Sequence, residues 1–421
     1  MVTAEPTLSA EELGLDPTRL GYLDSHLRSY VDEGKLAGTL MLVARHGEIG
    51  HFQANGLADR ERNVPMKQDT IFRIYSMSKP ITAVALMQLF ERGLVQIDDP
   101  VEKYIPEWAG LQVYSSGTYP NFQTKRTDRP MTVRDLLSHQ SGLTYGFLSR
   151  TNVDAAYREL KIDEGGKDRS LKCMVSELAQ LPLEFSPGSA WNYSVGIDIC
   201  GYLVEVISGQ RFDDYLRTNI FEPLGMEDTA FHVPAAKQSR FAANYSVNPG
   251  GTLSLTTVDA SKGFQLADDP ATSTYLQPPT YLSGGGGLVS AAMDYFKFAQ
   301  MLCNDGELLG ERIIGRKTLE LMVSNHLPGG TDLMHHARGQ WAETTFSGIG
   351  FGLGVSVTLD PSMAQLPGTP GEFAWGGAAS TAFWVDPIEE LVVVFMTQLM
   401  PSSFYNIRRE LRTLIYGALT D

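Results

Sequence analysis

Apolar positions along the chain first follow a helical period and then switch to that of a strand. Leu20, Leu23, Leu27, Tyr30 and Val31 fall on one face of a segment that Asp16 caps, Pro17 opens and Gly34 follows, which predicts a helix. Residues 38–45 and 48–55 then read as two strands of a hairpin joined through His46-Gly47. A short apolar segment at 70–75 runs into Ser76. Between 81 and 91 the period returns to helical, with Ile81, Val84, Ala85, Met87, Leu89 and Phe90 forming a mostly buried cylinder that Gly93 ends.

From about 98 to 234 the pattern predicts mainly helices, such as 132–138, 172–180 and 197–207, separated by Gly, Pro and Ser. Strand patterns return at 351–359, 373–385 and 391–398, with Asp386-Pro387 marking the turn between the last two. A closing helix carries Ile407, Leu411, Leu414, Ile415 and Ala418 at helical spacing. The order helix, strands, many helices, strands, helix predicts an α+β fold. An antiparallel sheet built from both chain ends is flanked by the terminal helices, with an inserted mainly helical domain. The expected division is 1–75 with 290–421 against 76–289, and the cleft between them is the expected active site.

Composition narrows the function classes. With 43% hydrophobic and 20% charged residues over 421 positions, the chain has the make-up of a globular protein. Its 34 basic and 49 acidic residues leave a net charge of −15, a field that repels phosphate backbones and anionic lipid surfaces. Nucleic acid and membranes are therefore not expected partners. Cys173, Cys200 and Cys303 are odd in number and lack C-x-x-C spacing, which speaks against a disulfide framework or zinc knuckle and for a reducing compartment. The N-terminus lacks a basic region followed by an apolar one, and the longest apolar runs, such as 391–396, fall far short of the roughly 20 residues of a membrane span. A cytoplasmic protein is expected.

The sharpest chemical feature is Ser76-Met77-Ser78-Lys79 at the start of the 81–91 helix. Positions three apart on a helix lie one turn apart on one face, so Lys79 reaches Ser76 Oγ. Pro80 suits the first turn, where a missing N–H costs nothing. The helix N-terminus favours developing negative charge on the serine, and a buried lysine that sheds its proton accepts that of the hydroxyl.

Around this tetrad the chain resembles the serine β-lactamase and penicillin-binding protein superfamily, whose nucleophile lies in Ser-x-x-Lys. Residues 72–82, the block Leu136-Leu137-Ser138-His139-Gln140-Ser141-Gly142-Leu143, the segment Pro187-Gly188-Ser189-Ala190-Trp191-Asn192-Tyr193-Ser194 and the stretch Pro223-Leu224-Gly225-Met226 are similar to its ordered signatures. Within it the chain looks most like the family VIII carboxylesterases of the class C branch. Tyr193-Ser194-Val195 stands where class C enzymes carry Tyr-x-Asn, and Trp375-Gly376-Gly377 where they carry Lys-Thr-Gly.

The resemblance implies a serine carboxylesterase, free of cofactor and metal, acting on short- to medium-chain acyl esters through a Ser76 acyl-enzyme. Lys79 and Tyr193 share the general-base task, and the backbone N–H groups of Ser76 and Ala378 form the oxyanion hole. Val195 and Trp375 are expected to offer apolar surface to a neutral ester, Gly376 and Gly377 to let it approach the strand, and Tyr145 to form part of the pocket rim. A β-lactamase or D-alanyl-peptide hydrolase, or an acyltransferase with the same Ser-Lys-Tyr chemistry, is the alternative. An intact triad speaks against a purely binding protein.

Other features carry less chemistry. His139 is expected to serve structural hydrogen bonding. His335-His336 lacks an acidic cluster beside it and reads as loop. Gly284 to Gly287 reads as a flexible turn, since no Gly-Lys-Ser/Thr follows. The chain has no Gly-x-Ser-x-Gly pentapeptide, which disfavours the α/β-hydrolase route. The loop at 112–129 is expected to help shape the pocket.

Overall fold

The hairpin at His46-Gly47 joins the first two strands of the main sheet in the structure, a computed structural model that describes residues 8–164, 169–247, 263–339 and 346–421. The segment read as free of a leader begins in residues 1–7, outside the described residues. Strand β1 (Gly38–Arg45) pairs with β2 (Glu48–Asp59) and is buried along its whole length. Beyond β2 lies β3 (Val64–Pro65), and the other strands come from the C-terminal third. They are β4 (Ile349–Phe351), β5 (Ser356–Thr358), β6 (Phe373–Gly376), β7 (Ala382–Asp386) and β8 (Leu391–Met396). The sheet runs β4-β5-β6-β7-β8-β1-β2-β3 and is antiparallel throughout, with Leu40 opposite Met396 where the two chain ends meet.

Both faces of this sheet are covered, which explains why its central strands read as continuous apolar runs rather than strict alternations. On one face Met41, Val43, Trp384, Val393 and Phe395 pack against helices α1 (Pro17–Asp32) and α5 (Ile407–Tyr416). Asp16 caps α1 by accepting from Thr18 and Arg19 N–H, as its sequence position predicts. On the other face Leu40, Leu42, Phe383, Val392 and Val394 join a larger core that includes α4 (Ala292–Cys303) and α2 (Ser78–Glu91). Every residue of α2 from Ser78 to Leu89 is buried, and α2 packs on α3 (Gly196–Ser208). An apolar cylinder in the sequence is thus a helix at the centre of the molecule.

Several elements differ from the sequence expectation. The run at 373–385 is two strands, because residues 377–381 turn back with Ser380 in the left-handed region (φ 69°). The run at 351–359 likewise divides, with the chain reversing through 352–355. The supposed loop at 112–129 contains a hairpin of its own, Gln112–Thr118 with Asn121–Arg126. His335 and His336 lie on a short helical turn, not a loop, each with a local partner in Asp332 and Thr331. All three cysteines are free thiols. Among the described residues no helix is long and apolar enough to cross a membrane, and no cluster of His, Cys, Asp or Glu has the makings of a metal site.

Candidate active site

Ser76 sits in a tight turn, Tyr75–Met77, that feeds directly into α2. Tyr75 holds a left-handed backbone (φ 41°), a conformation that costs a residue with a side chain on the order of 1–2 kcal/mol and is concentrated at functional sites. The turn is anchored from behind: Ile74 N–H donates to the Leu288 carbonyl at 3.1 Å, Leu288 N–H to Ser78 Oγ at 3.1 Å, and the Tyr295 hydroxyl to the Met77 carbonyl at 2.9 Å.

Two groups converge on the serine. Lys79 Nζ donates to Ser76 Oγ at 3.1 Å and to the Gly285 carbonyl at 2.7 Å. The Tyr193 hydroxyl donates to the same Oγ at 2.6 Å. Lys79 Nζ also lies 4.5 Å from the centre of the Tyr193 ring and 5.3 Å from that of Tyr145. Ser76 retains 9% of its surface, whereas Lys79 and Tyr193 retain 1% and 2%. The nucleophile therefore faces outward while the ammonium and the phenol stand behind it in a dry environment, where their electrostatic influence is strong. With one of the two deprotonated, such an arrangement draws the proton off Ser76 as it attacks a carbonyl carbon.

Tyr193 is fixed by backbone bonds of its neighbours: Asn192 N–H to the His139 carbonyl, Trp191 N–H to the His336 carbonyl and Val195 N–H to the Thr144 carbonyl. Its ring packs against His139 at 4.9 Å, Tyr145 at 5.1 Å and Trp375 at 5.7 Å. His139 Nδ1 lies 3.2 Å from Ser194 Oγ. Burial, and then the Lys79 charge, hold the His139 imidazole well below the usual histidine range, so it is a neutral ring supporting Tyr193.

Ser76 opens on a cavity of about 630 Å³ that Tyr193 and Ala378 also line. Tyr75, Tyr145, Phe147, Phe231, Tyr275 and Tyr281 make its wall strongly aromatic. Asp163 lines it too, and its carboxyl, accepting from Gly146 N–H at 2.9 Å, is raised above the usual range by burial. Burial pushes the Tyr75 phenol up to about 12. No Lys or Arg is among the described residues that line the cavity.

Tyr145 and Ala378 line the cavity, whereas Val195, Trp375, Gly376 and Gly377 do not. Val195 is fully buried ahead of α3, and Trp375 is 2% exposed with its ring against Tyr193 and Phe351; neither lines the cavity. Both belong to the larger hydrophobic core. Gly376 and Gly377 are also absent from the lining. They are small for the sake of the protein's own contacts: a Cβ on Gly377 would overlap the Ile74 carbonyl oxygen, and one on Gly376 would press into the Arg408 guanidinium. Arg408 Nη2 donates to the Gly377 and Thr381 carbonyls, both at 2.7 Å, and so pins the turn that carries Ala378 beside Ser76. The 112–129 hairpin does not reach this cavity either.

Sequence reasoning missed Arg408, Gly285, Asp198 and most of the aromatic wall. Asp198 Oδ1 accepts from Gly285 N–H at 3.0 Å and from the Ser283 hydroxyl at 2.5 Å. The glycine run 284–287 forms a turn, and Gly285 within it joins the site through both its N–H and its carbonyl. An acidic residue among the apolar residues of the first turn of α3 was the available signal.

The chain is similar to known proteins over nearly its whole length. Residues 23–417 match the beta-lactamase family. Esterase EstB of Burkholderia gladioli is 32% identical over 396 residues, covering 91% of this chain and 93% of that one. The solved structure of EstCE1, a hydrolase with promiscuous acyltransferase activity, superposes with a TM-score of 0.77 at 28% identity, covering 95% and 99% of the two chains. Simvastatin synthase LovD from Aspergillus terreus shares the fold at a TM-score of 0.77 and 22% identity, over 95% of this chain and 97% of that one. With Ser76, Tyr193 and Ala378 gathered on one cavity, and with the family match spanning nearly the whole chain, the protein belongs to the beta-lactamase family.

Proposed function

We propose that the protein is a serine carboxylic ester hydrolase acting on short- to medium-chain acyl esters. The observation that carries the reading is the convergence of Lys79 Nζ and the Tyr193 hydroxyl on Ser76 Oγ at the floor of an aromatic cavity. Ser76 attacks the ester carbonyl while its proton passes to the Lys79–Tyr193 pair. The N–H groups of Ser76 and Ala378 receive the oxyanion, a donor of this kind contributing about 2.7–4 kcal/mol to the transition state. The proton returns to the departing alcohol, and water activated by the same pair releases the acyl group. The likeness to EstB and EstCE1 supports this assignment.

The charge of the cavity separates ester from β-lactam hydrolysis. A β-lactam presents a carboxylate, which a Lys or Arg would recognise; the described lining offers Asp163 instead. Neutral esters suit an aromatic wall with one acid. Acyl transfer to an alcohol uses the same acyl-enzyme, and the promiscuous acyltransferase activity of EstCE1 supports it as a second outcome. We further assign the chain to the cytoplasm from its free thiols and acidic surface. The division into 1–75 with 290–421 and 76–289 is supported by the pairing of Ile71–Arg73 with Val289–Ala291, which brings the two crossings side by side.

The test is the initial rate on a p-nitrophenyl acyl series and on nitrocefin, for the native protein and Ser76→Ala. Ester turnover abolished by the substitution, with little nitrocefin hydrolysis, is the expected result. Efficient nitrocefin hydrolysis with poor ester turnover overturns the substrate assignment, and activity surviving Ser76→Ala overturns the mechanism.

A further inference from the structure

Asp198 lies on the first turn of α3 with 1% of its surface exposed. An ionised carboxylate in such a place is costly unless its oxygens are satisfied. Oδ1 accepts from Gly285 N–H at 3.0 Å and the Ser283 hydroxyl at 2.5 Å, and Oδ2 accepts from the Tyr145 hydroxyl at 3.3 Å. These three donors are neutral. No Lys or Arg among the described residues forms an ion pair with Asp198 at 4 Å or less. The carbonyl of the same Gly285 accepts from Lys79 Nζ at 2.7 Å. A single glycine thus joins a buried anion to the ammonium beside the nucleophile. A side chain at 285 would overlap Asp198 Oδ2 and come within 2.8 Å of Tyr145 Oη, so this grip requires glycine.

Two effects follow from that chain of contacts. The carboxylate fixes the backbone whose carbonyl aims Lys79 at Ser76. Its negative charge, in a medium that screens poorly, also favours protonation of the groups around it. We infer that Asp198 is a positioning residue that holds the Gly285 carbonyl against Lys79 and, through its charge, sets the pH at which the acceptor of the Ser76 proton becomes available. The direction is the same whichever of Lys79 and Tyr193 is that acceptor, because a neighbouring anion delays proton release from an ammonium and from a phenol alike.

The other titratable groups facing Asp198 leave room for this effect. Cys200 on the same helix has its thiol raised well above the usual range by burial. Tyr145 and Tyr281 on the facing segments have phenols raised well above theirs, again by burial first and then by Asp198 itself. All three stay neutral across the working range. Asp163, which Asp198 also influences, is the remaining acid. Asp163→Asn is therefore run as a parallel control.

The inference rests on the esterase reading, and the experiment keeps the two apart. The pH dependence of kcat/KM for p-nitrophenyl butyrate is compared in the native protein, Asp198→Asn, Asp163→Asn and Gly285→Ala. Labelling of Ser76 by a fluorophosphonate is followed over the same pH range, since it reads the same proton acceptor without an ester. Asn keeps an acceptor for Gly285 and Ser283 but removes the charge, so the acidic limb of both profiles is expected to move about one pH unit lower. Gly285→Ala, which displaces the carbonyl and leaves the charge, is expected to lower kcat about tenfold or more with no such movement. An Asp198→Asn profile that keeps its limb, whatever its rate, overturns the inference, as does a limb that Asp163→Asn reproduces in full. If Asp198→Asn does not fold, Tyr145→Phe removes one donor from the carboxylate and must move the limb the other way; a limb that stays in place again overturns it. A native protein that labels at Ser76 but hydrolyses no ester defeats the esterase reading alone.

Discussion

The hydroxyl of Tyr193 meets Ser76 Oγ at 2.6 Å across 117 positions of sequence, while Lys79 reaches the same oxygen at 3.1 Å from three positions away. One proton carrier is supplied by local helix geometry and the other by the packing of a distant segment. The two approach the serine from different elements, so neither substitutes for the other during acylation and deacylation.

Removing either carrier is expected to lower kcat by about 10²–10⁴-fold, the ordinary scale of general acid–base catalysis. Tyr193→Phe keeps the ring packing against His139 and Tyr145 and loses only the hydroxyl, so KM stays close to native. Lys79→Met loses the contact to Gly285 as well and falls at least as far. Steady-state and burst kinetics on p-nitrophenyl butyrate measure both; a Tyr193→Phe variant within threefold of native kcat rules out a proton-carrying Tyr193.

Arg408 is predicted to act on the reaction without touching substrate. It ties the Gly377 and Thr381 carbonyls together behind Ala378. Arg408→Ala is expected to reduce kcat/KM by about 10²-fold, the lower end of the effect of losing an oxyanion-hole donor. Affinity for a boronic acid transition-state analogue falls in parallel. Gly377→Ala, whose methyl meets the Ile74 carbonyl, is expected to lose activity in the same way and about 1–3 kcal/mol of stability from overpacking. Unchanged analogue affinity in Arg408→Ala speaks against the turn as an oxyanion site.

Charge selection in the cavity is assigned to Asp163. Three p-nitrophenyl esters of matched length, ending in a tert-butyl, a trimethylammonium or a carboxylate group, separate charge from shape. The native protein is expected to use the anionic ester least. In Asp163→Asn the ratio of anionic to neutral kcat/KM rises about tenfold, equivalent to about 1.4 kcal/mol. A ratio that does not change places the discrimination elsewhere.

Stability carries its own pH signature through Asp294 on α4. Burial raises this carboxyl to about 6 from a usual 3.8, against the bonds it accepts from Asp228 N–H and the Thr229 hydroxyl. The folded state then binds its proton more tightly than the unfolded state does. Stability from this group is present below about pH 4 and lost as pH rises through about 6. Asp294→Asn removes the loss and is expected to raise stability at pH 7–8 by on the order of 2 kcal/mol, with little change near pH 4. Thermal unfolding at the two pH values measures it, and an equal effect at both removes the titration from the explanation.

The sequence by itself determined whatever depends on neighbours within one or two turns. The Asp16 cap, the hairpin through His46-Gly47, the buried character of α2 and the reach of Lys79 to Ser76 all follow from spacing along a helix or strand. The sheet built from both chain ends was also legible, since its strands cluster near the two ends of the sequence, at 38–65 and 349–396. What only the tertiary structure decided is direction. Val195 and Trp375 are apolar residues beside functional ones, and composition cannot tell a pocket wall from the core; both are buried and neither lines the cavity. The turn at 377–381 was hidden in an apolar run because strand propensity carries no mark of where pairing stops. Gly285 and Arg408 act through backbone carbonyls and guanidinium contacts 206 and 31 positions distant in sequence. Contacts of that kind are set by how the packed core brings segments together, and no local pattern records them.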